Sequence, residues 1–564
     1  MSSENSNENT FYLGLCMAGA VSAGSYTAGV MDYLLEALGE WEKRKNEPGV
    51  PVHKVQIPVM GGASAGGMTS ILTTTVLNSP HTPIDKPSEN LLAEHPENKF
   101  YHTWVDLSQG DVLDKMLDTS DIKSGGLTSG LNSAFIDEIA QRVVTTEADK
   151  TKWLPLPGYI KPGLKIFSTL TNLQGFEYTA DFGPDKPQTR KYHMSIHNDY
   201  ACFELTETEI LGSNGGWVPL NLKDNINVDM ARDAAIATGA FPVGLKSRLF
   251  SRDASYVNAN LWLKKYLSNN PVDPGNYESL NVDGGLINNE PFEKVRDVLF
   301  ELTGQEAKAY RDFSTFTSTV VMIEPFPTQK PKPISKFQGL MNVMGLTLSS
   351  MINQMRSKPV EISDALSKSC AAQFLIAPSR FVNGPEGEMV NVTGELAIAC
   401  GTLNGFGGFL NKEFRVHDYF LGRHNCKIFL RDYFTIPESA LEENEIFRQG
   451  YANADRARFK STKDDGYQII PIFAETTDYS FPQLKFKSGG SWPILEEKDI
   501  DQYKSRLKDR IQAILLNLAD LSGSSKFLIW AGAKIVLNRV LSNAVIKKIK
   551  RDLVTWKLLP EQDN

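Results

Sequence analysis

Ser64 stands in the run Val59-Met60-Gly61-Gly62-Ala63-Ser64-Ala65-Gly66-Gly67-Met68, a single hydroxyl among four glycines and two alanines. Its core, Gly62 to Gly66, has the form G-x-S-x-G. In a nucleophile elbow of that form the chain turns so sharply from strand to helix that any large side chain two residues to either side would collide. A helix starting there points its positive end at the hydroxyl, where developing negative charge is stabilised. Taken alone, the five residues are equally a glycine-rich turn with an incidental serine.

Two further segments weigh on that choice. Gly19-Ala20-Val21-Ser22-Ala23-Gly24 is a small-residue loop. Such a loop can aim backbone N–H groups at the oxyanion of an acyl-transfer intermediate, or it can cradle a phosphate. Because it has neither the lysine of a P-loop nor the G-x-G-x-x-G spacing of a dinucleotide site, the oxyanion reading is preferred. The segment VDGGLINNEP places Asp283 after the apolar Leu280 and Val282 and before Gly284 and Gly285. A carboxylate at a strand end with two glycines behind it can approach another backbone closely, as a partner of a serine must. The plainer alternative is an Asp-Gly turn.

The elements that would position these residues are readable as two strand, glycine loop, helix units. Phe11 to Cys16 suits a buried strand, and from Thr27 onward Val30, Tyr33, Leu34, Ala37 and Leu38 recur at helical spacing. Val55 to Met60 is a second strand-like run, followed by the Gly61 to Gly67 loop and a helical stretch from Met68 to Leu77. Two such units predict an α/β domain with a mostly parallel central sheet. Further strand-like runs occur at Leu164 to Leu170, Phe203 to Leu205 and Val320 to Ile323. Residues 79–98 are rich in Pro, Asn, Glu and His, and SGGLTSG at 124–130 is a polar break, so 79–130 is expected to be partly a surface insertion. The cluster PFPTQKPKP at 325–333 is the expected domain boundary, with a catalytic domain over 1–325 and a mainly helical region over 334–564.

In this order, the small-residue loop, the G-x-S-x-G serine and the later D-G-G aspartate resemble the patatin-like phospholipase family. AIATGAFPVG at 235–244 is similar to the family's small-residue helix ending in an Ala-x-Pro step. The resemblance covers roughly residues 11–325. It implies a patatin-like three-layer α/β fold and a Ser64-Asp283 dyad working without a catalytic histidine. It also implies an oxyanion hole from Gly19, Ala20, Val21 and Ser22, with Gly62, Gly66, Gly284 and Gly285 supporting the elbow and the dyad. The implied activity is hydrolysis of acyl esters of glycerophospholipids, of the phospholipase A or lysophospholipase type, with no cofactor and no metal. One departure stands out: Ala23 occupies the place where most members carry Arg or Lys. Two other readings stay open, a patatin-fold lipid-binding or scaffold protein that has lost activity, and a Ser-His-Asp esterase whose histidine is His417 or His424. For the segment 414–434 that holds both histidines, packing is the preferred reading, with Arg415, Asp418 and Arg423 in structural hydrogen bonds.

Composition sets the setting. A chain of 564 residues with 41% hydrophobic and 22% charged residues is too long for one small core. The net charge of −8 argues against nucleic acid as a partner, since phosphate binding draws on a basic surface. Five scattered cysteines without a C-x-x-C pair fit neither a disulfide framework nor a zinc site. The polar start MSSENSNENT lacks the features of a secretory signal, and no apolar run reaches about 18 residues. The expectation is therefore a cytoplasmic protein that reaches phospholipid substrate by peripheral contact with the inner membrane face, as a monomer or a homo-oligomer. Two segments suit such contact. One is 337–355, with Met341, Met344, Met351 and Met355 near one helical face, for which an ordinary buried helix is the preferred reading. The other is 526–559, apolar residues interrupted by Lys534 and Arg539 and followed by Lys547, Lys548, Lys550 and Arg551, with Trp530 and Trp556 near its ends. Docking onto the catalytic domain or a second subunit explains the latter pattern equally well.

Overall fold

The computed structural model describes residues 9–107, 110–146, 152–181, 191–207, 215–305, 309–327, 370–384, 386–473, 484–519 and 526–561, with a few isolated positions between them. Strand β1 (Thr10–Met17) is buried along its whole length. It pairs in parallel with β2 (Lys54–Gly62) on one side and with β8 (Ser318–Ile323) on the other. A central parallel strand is covered on both faces, which is why TFYLGLCM reads as a continuous apolar run rather than an alternating one. Between β1 and β2 runs helix α1 (Gly24–Arg44), whose Val30, Leu34, Ala37, Leu38 and Trp41 face the core. After β2 the chain enters α2 (Ala65–Leu77) directly.

The remaining strands extend the sheet. β3 (Ile160–Asp181) pairs in parallel with β2 and antiparallel with β4 (Lys191–Leu205), and β5 (Val218–Leu220) closes that edge. Helix α3 (Val228–Thr238) precedes β6 (Arg248–Asp253) and β7 (Asn276–Asp283), which are antiparallel to each other. β7 pairs with β3 at Leu170, Thr171 and Asn172. Helix α4 (Phe292–Thr303) leads to β8, and β9 (Gln373–Ile376) adds to β8 in parallel. The order across the nine-stranded sheet is β5-β4-β3-β2-β1-β8-β9, with β6 and β7 branching from β3.

The expected boundary at 325–333 does not separate two cores. Strand β9 belongs to the same sheet as β1, and helix α5 (Lys412–Asp432) packs directly on α1. The two helices approach to backbone contact through one glycine from each. A Cβ on Gly29 would lie 1.9 Å from Tyr419 O, and one on Gly422 would lie 2.1 Å from Tyr26 O. Arg423 of α5 reaches Asp32 and Glu36 of α1. Burial alone would raise Asp32, but Arg423 and His81 outweigh it and hold the carboxyl at about 2. The same carboxylate accepts from Ile84 N–H and from Asn98 Nδ2 at 3.0 Å. Hence the 79–98 segment is docked by Ile84, Leu91 and Asn98, all buried, and Phe100, Tyr101 and Trp104 continue into the core. Beyond α5 the chain is mainly helical, ending in α6 (Lys504–Ala519) and α7 (Lys526–Thr555). All five cysteines are free and buried. Met341, Met344, Met351 and Met355, and the side chains of Trp530 and Lys534, lie outside the described residues.

Candidate active site

Ser64 immediately precedes α2 in the two-residue step from β2, at φ 50° and ψ −126°. That left-handed φ costs a non-glycine residue free energy and persists only where the surroundings over-determine it. They do so here. Ser64 N–H donates to Thr238 Oγ1 at 2.9 Å, and that hydroxyl donates in turn to Thr169 O at 2.7 Å. Beneath the turn, a Cβ on Gly66 would lie 2.0 Å from Met17 O, and one on Gly62 would lie 2.5 Å from the same oxygen. Only glycine lets β1 and the elbow approach so closely.

Ser64 Oγ donates to Asp283 Oδ2 at 2.6 Å. Both side chains are buried, Ser64 at 5% and Asp283 at 3% exposure, so the pair sits where bulk water competes little. Asp283 is the last residue of β7, and both its carboxylate and its backbone are held. Gly285 N–H donates to Oδ1 at 2.7 Å, Asp283 N–H donates to Ala240 O at 2.9 Å, and Thr171 Oγ1 donates to Asp283 O at 2.9 Å. Gly284 is backed against β3, where a Cβ would meet Thr169 O at 2.0 Å.

The 19–24 loop lies over the serine. A Cβ on Gly19 would come within 3.1 Å of Ser64 Cβ and 2.3 Å of Asn289 Oδ1. Gly19 N–H is engaged by Asn289 O at 3.3 Å, and Ala23 N–H by Ala20 O at 2.9 Å. Among the described residues this leaves the amides of Ala20, Val21 and Ser22 without an intramolecular acceptor. Val21 holds φ 49°, a rare conformation for a β-branched residue. The Ser22 side chain points away from Ser64, donating to Gly405 O and accepting from Gly408 N–H at 3.0 Å.

Of the residues singled out in the sequence, Ser64, Asp283 and the 19–22 loop thus come together, and the four supporting glycines lie beneath or beside them. Neither histidine proposed for a triad joins them. His417 is buried with Nδ1 at 2.8 Å from Asp418 Oδ1, its ring facing Trp492 and Phe481, and His424 also lies against Phe481. Asp418 accepts from the Ala399 and Cys400 N–H groups, and Arg415 donates to Val105 O and Gly408 O. Thr238, Thr169 and Thr171 were not expected as site residues. AIATGAFPVG carried a signal for Thr238, a lone hydroxyl among small residues. A threonine inside a β-strand carries none. Among the described residues, no group of three or more His, Cys, Asp and Glu side chains is placed to hold a metal ion.

Chemically, a buried hydroxyl bonded to a carboxylate, at the N-terminus of a helix and under a loop with open amides, has the parts for attack on a carbonyl carbon. The model of the patatin-like phospholipase family matches residues 15–296, a span that includes Gly19, Ser64 and Asp283. An uncharacterized protein of Sinorhizobium fredii, y4iI, is 26% identical over 623 aligned positions, covering 98% of this chain and 84% of the relative. The similarity to that relative therefore runs through the C-terminal region as well as the matched domain. With half the chain accounted for by the family model, this protein belongs to the patatin-like phospholipase family, and that membership supports a lipid acyl hydrolase.

Proposed function

We propose that the chain cleaves acyl esters of membrane glycerophospholipids, as a phospholipase A or lysophospholipase, through a Ser64-Asp283 dyad. The observation that carries this reading is the 2.6 Å hydrogen bond from Ser64 Oγ to Asp283 Oδ2 at a left-handed elbow. Asp283 takes the serine proton as Oγ bonds to the ester carbonyl carbon, and the carbonyl oxygen becomes the oxyanion. The Ala20, Val21 and Ser22 amides, with the N-terminus of α2 behind, stabilise that charge. Gly19, its own amide engaged by Asn289, supplies room rather than a donor. Collapse of the intermediate expels the lysolipid alkoxide, which takes the proton from Asp283. Water, deprotonated by the same carboxylate, then attacks the acyl-enzyme, and collapse of the second intermediate expels Ser64 Oγ, which recovers the proton from Asp283 as the fatty acid leaves. Because the donors are backbone amides, Ala23 in place of a basic residue leaves this route intact.

Substrate in a bilayer requires a surface that meets it. Helix α7 exposes Val540, Leu541 and Val545 beside Lys547 and Lys548, a mixed apolar and cationic face suited to peripheral contact with anionic lipid. Among the described residues no helix is long and apolar enough to cross a membrane. The test is fatty-acid release from mixed phospholipid vesicles by the parent, Ser64→Ala and Asp283→Ala. Loss in both variants with folding intact supports the dyad. A parent that releases nothing overturns the hydrolase reading and favours a lipid-binding protein on the same fold.

A further inference from the structure

The amides assigned to the oxyanion belong to a loop that is closed by its own Ala23 N–H to Ala20 O bond and also held from far downstream. Val21 is in a left-handed conformation, and the Ser22 hydroxyl is committed to residues nearly four hundred positions downstream. Those downstream residues are themselves unusual. Leu403, Asn404 and Gly405 follow one another at φ 55°, 55° and 92°, three consecutive left-handed residues of which two carry side chains. Such a run needs an external hold. It has one at each end. On one side Gly405 leans on the loop, where an added Cβ would lie 3.2 Å from Val21 Cβ. On the other, Leu403 N–H donates to Asp552 Oδ2 of α7 at 2.6 Å. Trp556, immediately after the last residue of that helix, donates from Nε1 to Glu395 O at 3.3 Å and lies 3.2 Å from where a Gly401 Cβ would be. The C-terminal helix is thus connected to the oxyanion loop through one short segment, residues 401–408.

We propose that Asp552 is a positioning residue for the reaction at Ser64: by accepting the Leu403 amide it fixes the 403–405 turn, which through Gly405, Gly408 and Ser22 sets the direction of the Ala20, Val21 and Ser22 amides. This rests on the hydrolase reading above. A carboxylate suits the task, since a charged acceptor holds a backbone N–H more firmly than a neutral one. The segment lies outside residues 15–296, so the geometry assigns to the C-terminal region a part in catalysis that the family's matched domain does not contain.

The test compares the parent, Asp552→Ala, Asp552→Asn, Ser22→Ala and the Ser22→Ala/Asp552→Ala double variant of the full chain. Each is measured for kcat and KM on a soluble fatty-acyl ester and for amide hydrogen exchange over residues 18–24. Asp552→Ala is expected to lower kcat about tenfold or more, short of the roughly 10²- to 10³-fold of losing an oxyanion donor outright. Its KM should stay within about twofold, because the lost interaction acts on the transition state. Exchange at 18–24 should quicken, and Asp552→Asn, which keeps an acceptor oxygen, should recover most of both. The double variant should be no slower than the slower single, because both substitutions release the same segment. Parent-level kcat in Asp552→Ala, unchanged exchange at 18–24, or additive effects in the double variant overturns the proposal. Should Asp552→Ala unfold, seen as fast exchange throughout β1 and β2, the Ser22→Ala and Asp552→Asn arms decide in its place. An inactive parent overturns the hydrolase reading, and exchange at 18–24 then decides alone whether Asp552 holds the loop.

Discussion

Ser64 and Asp283, 219 positions apart, meet at 2.6 Å because both are delivered to the same stretch of β3. Gly62 pairs with Ser168, and two residues further along the same edge of β3 Asp283 pairs with Leu170, while β4 occupies the opposite edge. Thr169, between them, takes the hydroxyl hydrogen of Thr238 on its carbonyl and backs Gly284. Residues 168–171 are thus the template on which the dyad is assembled. Removing either member is expected to cut fatty-acid release by at least about 10³-fold. A fluorophosphonate that labels the parent at Ser64 should leave Ser64→Ala unlabelled and label Asp283→Asn slowly. Labelling of Asp283→Asn at the parent rate would remove Asp283 as the base.

Thr238 gives a finer test of the elbow. Its hydroxyl is the acceptor for the Ser64 amide, so Thr238→Val leaves that buried N–H unpaired at about 1–3 kcal/mol. The expected outcome is a kcat lowered about ten- to a hundredfold with little change in KM, and recovery in Thr238→Ser. A Thr238→Ser variant as impaired as Thr238→Val would assign the loss to the missing methyl and its packing.

Close approach at Gly66 makes a stability prediction with an internal control. The Cβ of Gly66→Ala would lie 2.0 Å from Met17 O and 2.7 Å from Ala18 O, both backbone atoms that cannot swing aside. A loss of about 3 kcal/mol or more is expected in urea unfolding. Gly39, inside α1, has nothing within 4 Å of its added Cβ, so Gly39→Ala should instead gain about 1 kcal/mol from helix propensity.

How far the site was legible follows from where its information resides. Ser64, Asp283 and the 19–24 loop announce themselves because tight turns demand residues that strands and helices avoid. The α/β class was legible for a similar reason: β1 to α2 alternates buried runs with helical spacing over adjacent residues. Pairings between distant segments leave no such local mark. The antiparallel β3–β4 ribbon, the branch of β7 from β3 and the addition of β9 to β8 depend on which edges remain open after the first strands have paired. Proline and lysine at 325–333 mark a break in the sequence and carry no information on whether the next segment returns to the same sheet, as β9 does. Ser22 was read as an oxyanion-loop residue, and its bond to Gly405 was invisible because nothing in 399–409 repeats or pairs locally.

Acid should weaken the fold in a defined window. His53 is buried among Trp41, Phe447 and Tyr451, and burial lowers it from 6.5 to about 4. The unfolded chain therefore takes up a proton near pH 6.5 that the folded chain refuses until about pH 4, so stability is full above 6.5 and falls as pH drops toward 4. Burial lowers His417 as well, against the pull of Asp418, and adds to the slope in the same direction. Asp32, held near 2, keeps its contribution above its ordinary 3.8 and loses it only at lower pH, outside this window. Between pH 7 and 4.5 the parent should lose about 2–3 kcal/mol from His53 alone. His53→Gln, whose amide can still donate to Ile469 O, should lose that much less over the same interval. Equal losses in both would show that His53 is not the group responsible.

The face of α7 yields the last prediction. If Lys547 and Lys548 meet anionic headgroups while Val540, Leu541 and Val545 enter the boundary above the acyl chains, the two kinds of residue should fail differently. Each lysine near an anionic surface contributes about 1 kcal/mol, so Lys547→Ala/Lys548→Ala should weaken binding to phosphatidylglycerol vesicles about 30-fold. Phosphatidylcholine binding should barely change, and raising the salt concentration should mimic the double variant. Val540→Asn/Val545→Asn should weaken binding to both lipids by a factor that does not depend on salt, because it removes apolar area rather than charge. Beyond these residues α7 is anchored through Asp552, and the chain just after it through Trp556, so none of these substitutions should alter kcat on a soluble ester. Vesicle flotation separates the outcomes. Binding to neither lipid by the parent, or binding unaffected by both double variants, would remove α7 as the membrane-facing element and leave its exposed face for another partner.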